Sequence, residues 1–209
     1  MKTKLKKQPF WVERALQGVT YWMGHRRCLY RDYPLSEGAL VAEVCNLIYA
    51  NLPEALQLLC EVQYSTFANG GRLPEILRGR IRTDLVVADK TARSEDDPLP
   101  KFIIEVKRAS APASQINADL ARLVAVRRLC HGIRAFLFVI SEARRPNRFV
   151  NANGHSIAGT HHIPDSDGHY RVRRTWKAAH AFTKRDRAQY SCLIEVFPDP
   201  NKAKRRRAR

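Results

Sequence analysis

Apolar residues recur at helical spacing through Leu40, Val41, Val44, Leu47 and Ile48. Ser36 stands ready to cap the first turn and Pro53 interrupts the run, so the pattern predicts a helix over roughly 36–51. A second short helix is expected over Pro53–Cys60, followed by a strand over Glu61–Phe67, a turn at 68–71 and a strand over Ile81–Ala88. Residues 89–100 are polar and bounded by prolines, which predicts a surface loop, and Lys101–Lys107 is the next strand. Ile116, Leu120, Leu123 and Val124 share one face of a helix over 114–130 that ends before Gly132. The strand Arg134–Ser141 follows at once, with a continuous apolar run at 136–140 that fits a central position. Strand, crossover helix, strand is the βαβ unit of a mixed or parallel sheet. Residues 146–169 read as loop, and two late strands are expected at 170–179 and 189–197. The aromatic and arginine-rich stretch 8–34 predicts no definite element. The fold class is therefore α/β, a central mixed β-sheet flanked by helices. A basic and aromatic extension at 1–35, one domain at 36–200 and a basic tail at 201–209 make up the chain.

Composition sharpens this picture. A chain of 209 residues with 44% apolar side chains can bury one substantial core. The formal charge of +17 points to a polyanionic partner, although the two basic ends supply ten of those charges. The five cysteines are odd in number and widely spaced, which argues against a disulfide framework or a zinc knuckle. No apolar run approaches the roughly 20 residues that span a bilayer, and the opening Met-Lys-Thr-Lys-Leu-Lys-Lys lacks the apolar stretch of a secretory signal. The expected address is the cytoplasm.

The chemistry lies in Lys101-Phe102-Ile103-Ile104-Glu105-Val106-Lys107, where an apolar strand carries a carboxylate and an ammonium on one face. A carboxylate buried there costs several kcal/mol unless a cation or strong hydrogen bonds compensate. Asp84 sits within a second apolar strand one loop earlier, so a hairpin brings it to Glu105. Two carboxylates beside a lysine make a hard-oxygen site suited to Mg²⁺ or Mn²⁺ and to phosphodiester hydrolysis.

Glu37 on the first helix, Asp84 on a strand and Glu105-Val106-Lys107 on the next resemble the PD-(D/E)XK nuclease superfamily over residues 36–141. The resemblance implies a restriction-endonuclease-like core in which Asp84, Glu105 and the Val106 carbonyl hold the metal. It also implies that Lys107 positions the attacking water and offsets developing charge. Thr83 stands where many members carry proline, a change that leaves the Asp84 ligand in place. Glu37 is preferred to Glu43 because helical geometry puts it near the centre of the Val41, Val44, Ile48 face. On the helix after the catalytic strand, Gln115 is preferred to Asp119 as a further polar group, since it lies in the first turn.

DNA is the expected substrate, with RNA ranking behind it. Arg80, Arg82, Arg108, Arg144 and Arg145 are the candidate phosphate contacts, and Arg148, Arg171, Arg173, Arg174 and Lys177 could extend them, with Trp176 as a stacking group. His161-His162-Ile163-Pro164 is similar to an HNH nuclease segment but lacks the downstream asparagine and histidine. Restriction, phage defence, repair and toxin roles all suit a small nuclease of this kind, acting as a homodimer or within a larger defence complex. The alternative is a nucleic-acid-binding module that keeps the fold without hydrolysis.

Overall fold

The computed structural model describes residues 6–29, 33–68, 72–90, 99–142, 144–179 and 188–199. Ser36 caps α2 (Glu37–Tyr49) by accepting the Ala39 N–H at 3.2 Å, and Leu40, Val44 and Ile48, four residues apart, form its buried stripe. α3 (Ala113–Leu129) buries Ile116, Leu120, Leu123 and Val124 and carries Arg127 and Arg128 in its last turn, where they complement the helix dipole. Gly132, at φ +90°, then turns the chain into β4 (Arg134–Ser141), every residue of which is buried.

Seven strands form one sheet in the order β1-β2-β3-β4-β7-β6-β5. β1 (Leu56–Gln63), β2 (Arg82–Asp89) and β3 (Leu99–Arg108) run as an antiparallel meander. α3 then crosses over so that β4 lies parallel to β3, with Glu105 level with Leu137. β7 (Ala188–Pro198), β6 (Gly168–Ala179) and the two-residue β5 (His161–His162) extend the sheet antiparallel. α3 covers one face, packing on Tyr64, Ile103, Leu137 and Ile194; α1 (Phe10–Leu29) and α2 cover the other, packing on Leu85, Ile104, Phe136 and Leu193. The mixed α/β architecture is as expected.

Three local expectations differ. The segment expected to begin as a helix at Pro53 becomes β1, because pairing with β2 from Leu56↔Asp89 to Gln63↔Arg82 overrides the helical preference of its leucines. The strand expected over Glu61–Phe67 stops at Gln63, and Tyr64–Ala68 closes as a 3₁₀ turn that buries Tyr64 and Phe67. The aromatic stretch near the start forms α1, whose Trp11, Val12, Leu16 and Val19 enter the core. The turn expected at 68–71 and the loop at 89–100 fall largely outside the described residues, as does the basic tail. No helix among the described residues is long and apolar enough to cross a membrane.

Candidate functional site

The β2–β3 ladder ends at the pair Leu85↔Ile104, and the site opens where it stops. Beyond that pair the Val106 N–H donates to Asp84 Oδ2 at 2.7 Å, so the Asp84 side chain does the work of the missing ladder carbonyl. Glu105 lies opposite Asp84 and is only 5% exposed. Its Oε1 accepts the Tyr64 hydroxyl at 2.5 Å, a contact made possible by the 3₁₀ turn that swings Tyr64 under the sheet.

Burial raises the Asp84 carboxyl above its ordinary value, while the Val106 N–H and the Glu105 carboxyl pull it back. Burial pushes Glu105 further up, and the adjoining charge of Asp84 adds to it. Tyr64 is driven up by its own burial and by Glu105. Glu61, held at φ 53° on β1, adds negative charge beside Asp84.

Lys107 extends from the end of β3 between two helices. Its Nζ donates to Glu37 Oε1 at 2.6 Å, from the first turn of α2, and stands 3.3 Å from Asp119 Oδ2 on α3. Burial alone would lower the Lys107 pKa; the bond to Glu37 and the charge of Asp119 overcome it and raise the value. Asp119 is 1% exposed and is also clasped by Arg122 one turn further along α3. Glu37, Asp84, Glu105 and Asp119 thus gather around Lys107 and Arg122, with Glu61 adding a fifth carboxylate beside Asp84, so the fully ionised cluster holds more negative than positive charge.

The structure therefore brings Glu37, Asp84, Glu105 and Lys107 together. Gln115 is exposed in the first turn of α3; the helix residue that reaches Lys107 is Asp119. Tyr64 and Arg122 carried no signal beyond their residue types. Asp119 was visible as a polar residue on the Ile116, Leu120, Leu123 stripe, a position where burial demands a partner.

Among the described residues no group of three histidine, cysteine, aspartate or glutamate side chains converges as a metal-binding set. The donors that do meet, the abutting carboxyls of Asp84 and Glu105, fit a small hard cation, which characteristically takes one or two carboxylates and completes its shell with water and phosphate oxygens. Their hydrogen-bond partners include the Val106 amide, the Tyr64 phenol and each other, and Lys107 and Arg122 act on them through charge at longer range.

The candidate phosphate contacts divide. Arg80 and Arg82 are exposed at the start of β2. Arg108, Arg144, Arg145 and Arg148 surround a cavity at the ends of β3 and β4. Arg173 is instead drawn into the sheet by Glu195 at 2.7 Å, and Trp176 packs half-buried against the α1–α2 core.

No family model matches the chain, and no curated protein matches it in sequence. Among solved structures the chain is similar to NucC of P. aeruginosa ATCC27853 in its cAAA-bound form, at 14% identity and a TM-score of 0.33. That likeness covers 59% of this chain and 52% of the other, so the chain spans about half the length of that protein.

Proposed function

We propose that the chain is a divalent-cation-dependent nuclease of the PD-(D/E)XK type that hydrolyses phosphodiester bonds in DNA. The observation that carries this reading is Lys107, held between Glu37 and Asp119 beside the buried Glu105 and the half-buried Asp84 on adjacent strands. Burial of unneutralised charge at one end of a sheet is costly, and such an arrangement persists where it serves chemistry.

In this reading Asp84 and Glu105, with the Val106 carbonyl, would hold Mg²⁺ or Mn²⁺. The cation supplies Lewis acidity toward the phosphate and lowers the pKa of water. Lys107 orients the attacking water and stabilises the charge that develops on the phosphate oxygens. Glu37 and Asp119 fix the ammonium in place and keep it protonated. Tyr64 fixes the Glu105 carboxyl beside Asp84. A homodimer, two sites acting on two strands, and a role in defence extend the same proposal.

The test is conversion of supercoiled and linear plasmid by the full chain with Mg²⁺, with Mn²⁺ and with chelator. The expected result is metal-dependent cutting that both Lys107→Ala and Asp84→Ala lose while their melting temperatures and DNA affinity persist. Cutting by Lys107→Ala at the rate of the parent chain would overturn the assignment. Retained salt-sensitive DNA binding with no cutting under any condition would favour a binding module.

A further inference from the structure

The ends of β3 and β4, the first turn of α3 and the segment 144–149 enclose a cavity of about 640 Å³. Its floor is apolar, built from the exposed or half-buried Pro34, Ala109, Ala111 and Ala113, with Ile116, Ile140 and Phe149 buried beneath it. Its rim carries Arg108, Arg144, Arg145 and Arg148. One carboxylate shares the rim, Glu142, and its Oε1 is engaged by the Leu35 N–H at 3.1 Å and by Arg108 at 3.7 Å. Four guanidiniums therefore face one carboxylate. Arg145 is braced by its Nε on Asn147 at 2.9 Å, and Arg148 lies over the rings of Phe149 and Tyr170 at 5.4 and 5.5 Å. Each keeps further N–H donors for a ligand.

α3 begins at this same cavity. Its N-cap is Pro112, no side chain caps its first turn, and Ala111 and Ala113 line the opening, so the positive end of the helix adds to the arginine field. A bare inorganic anion would leave the apolar floor unused, and a flat membrane or protein surface would not enter a concavity. An anionic head joined to a flat, weakly polar body uses both parts, and a cavity of this size is ample for one nucleotide. Arg108 directly follows Lys107, and Ile116 precedes Asp119 by three residues on α3, so the cavity adjoins the carboxylate cluster.

We propose that this cavity receives one unpaired nucleotide of the substrate strand, its phosphate on Arg144 and Arg145 and its base or sugar against Pro34, Ala109 and Ala111. The inference rests on the nuclease reading and narrows it: a base can reach the floor only when it has left the duplex stack, so single strands and frayed ends are the favoured substrates. The phosphate can be terminal or internal, since both present the same oxygens.

The experiment measures binding of fluorescein-labelled oligonucleotides to the full chain in chelator, where no cutting obscures the equilibrium. The ligands are a single strand with a 5′ phosphate, the same strand with a 5′ hydroxyl, a strand with abasic positions and a blunt duplex. An unlabelled circular single strand serves as competitor. Arg144→Ala/Arg145→Ala is expected to weaken single-strand binding about tenfold or more. It is also expected to reduce the slope of log affinity against log salt by about 1.4, two contacts at roughly 0.7 each. Lys90→Ala, an exposed charge just past the far end of β2, is expected to stay within twofold of the parent. Weaker binding of abasic strands supports the floor. A clear preference for the 5′ phosphate over both the hydroxyl end and the circle makes the bound phosphate terminal, and equal binding makes it internal. Double-variant binding within twofold of the parent, or an equal loss for duplex and single strand, would overturn the proposal. Plasmid cleavage run alongside separates the two readings. Cutting with unchanged binding in the double variant removes the cavity and keeps the nuclease, whereas specific binding loss with no metal-dependent cutting does the reverse.

Discussion

Glu105→Gln makes the electrostatic tension of the site measurable. The substitution is isosteric: the amide oxygen still accepts the Tyr64 hydroxyl, and the amide N–H can donate to Asp84, replacing repulsion with a hydrogen bond. In the folded chain burial, and then the charge of Asp84, raises the Glu105 carboxyl above its ordinary 4.5. A carboxyl raised on folding contributes its full stability below its unfolded value and loses it as pH climbs through the folded one. Parent and variant should therefore be nearly equal in stability below pH 4.5, where Glu105 is protonated in both states. Above that the variant should pull ahead until the folded carboxyl has ionised, after which the gap stays constant. Each unit of displacement is worth about 1.4 kcal/mol, so a gain on the order of 1 kcal/mol or more is expected at the plateau. For a chain of this length each kcal/mol corresponds to roughly 2–4 °C in Tm. Urea unfolding in chelator across the pH range is the assay. Saturating Mg²⁺ should raise the stability of the parent and leave the variant unmoved, while the variant loses cleavage. A variant less stable than the parent at pH 8, or a gap that does not change with pH, would refute the claim that Glu105 is held against its own charge.

Three further outcomes follow from single contacts. Asp119→Asn removes the buried charge shared by Lys107 and Arg122 and should cost about 1–3 kcal/mol in urea unfolding. It should also shift the alkaline limb of the cleavage pH profile downward, since Asp119 helps raise the Lys107 pKa. Arg134→Met strips the bidentate partner, at 2.9 and 3.0 Å, from buried Glu195 and should cost about 2–4 kcal/mol without changing the metal response of the parent site. Gly168→Ala places a Cβ 2.4 Å from a Val124 methyl, where β6 passes under α3, and should cost about 1–3 kcal/mol; Val124→Ala in the same chain should recover most of that loss in Tm.

The elements legible in the sequence were those whose patterns are set locally. The Leu40, Val44, Ile48 stripe behind Ser36, the apolar run of β4 and the Gly132 stop all appear where expected, because cap, period and turn chemistry act within a few residues. β1 was not legible, since its leucine-rich run becomes a strand only through the edge that β2 offers. α1 was not legible either, because an aromatic and arginine-rich stretch acquires its apolar stripe only against the sheet face it covers. At the site the order Asp84, Glu105, Lys107 was readable because two apolar strands joined by one loop fix their meeting. The choice between Gln115 and Asp119 was not decided by position in the first turn. It was decided by which face of α3 packs on the sheet, and that face carries Asp119.

Two glutamates lie buried in the same sheet, and their surroundings differ. Glu195 is gripped by Arg134 and Arg173, with Arg127 at 3.8 Å, and those guanidiniums reach on to the carbonyls of Lys6, Lys7 and Val196. Its charge is compensated within the fold, and the positive excess holds the start of the chain against β4 and β6. Glu105 has instead a phenol on one oxygen and a second carboxyl beside it, and the nearest lysine of the cluster is engaged by Glu37 and Asp119. A chain able to place three arginines around one buried carboxylate had the means to neutralise the other. Glu105 and Asp84 instead feel Arg122 and Lys107 only through charge at longer range, which costs stability in the isolated protein; under the proposed function a divalent cation and a phosphate would relieve that cost, and the arginine-rimmed cavity would take the neighbouring nucleotide.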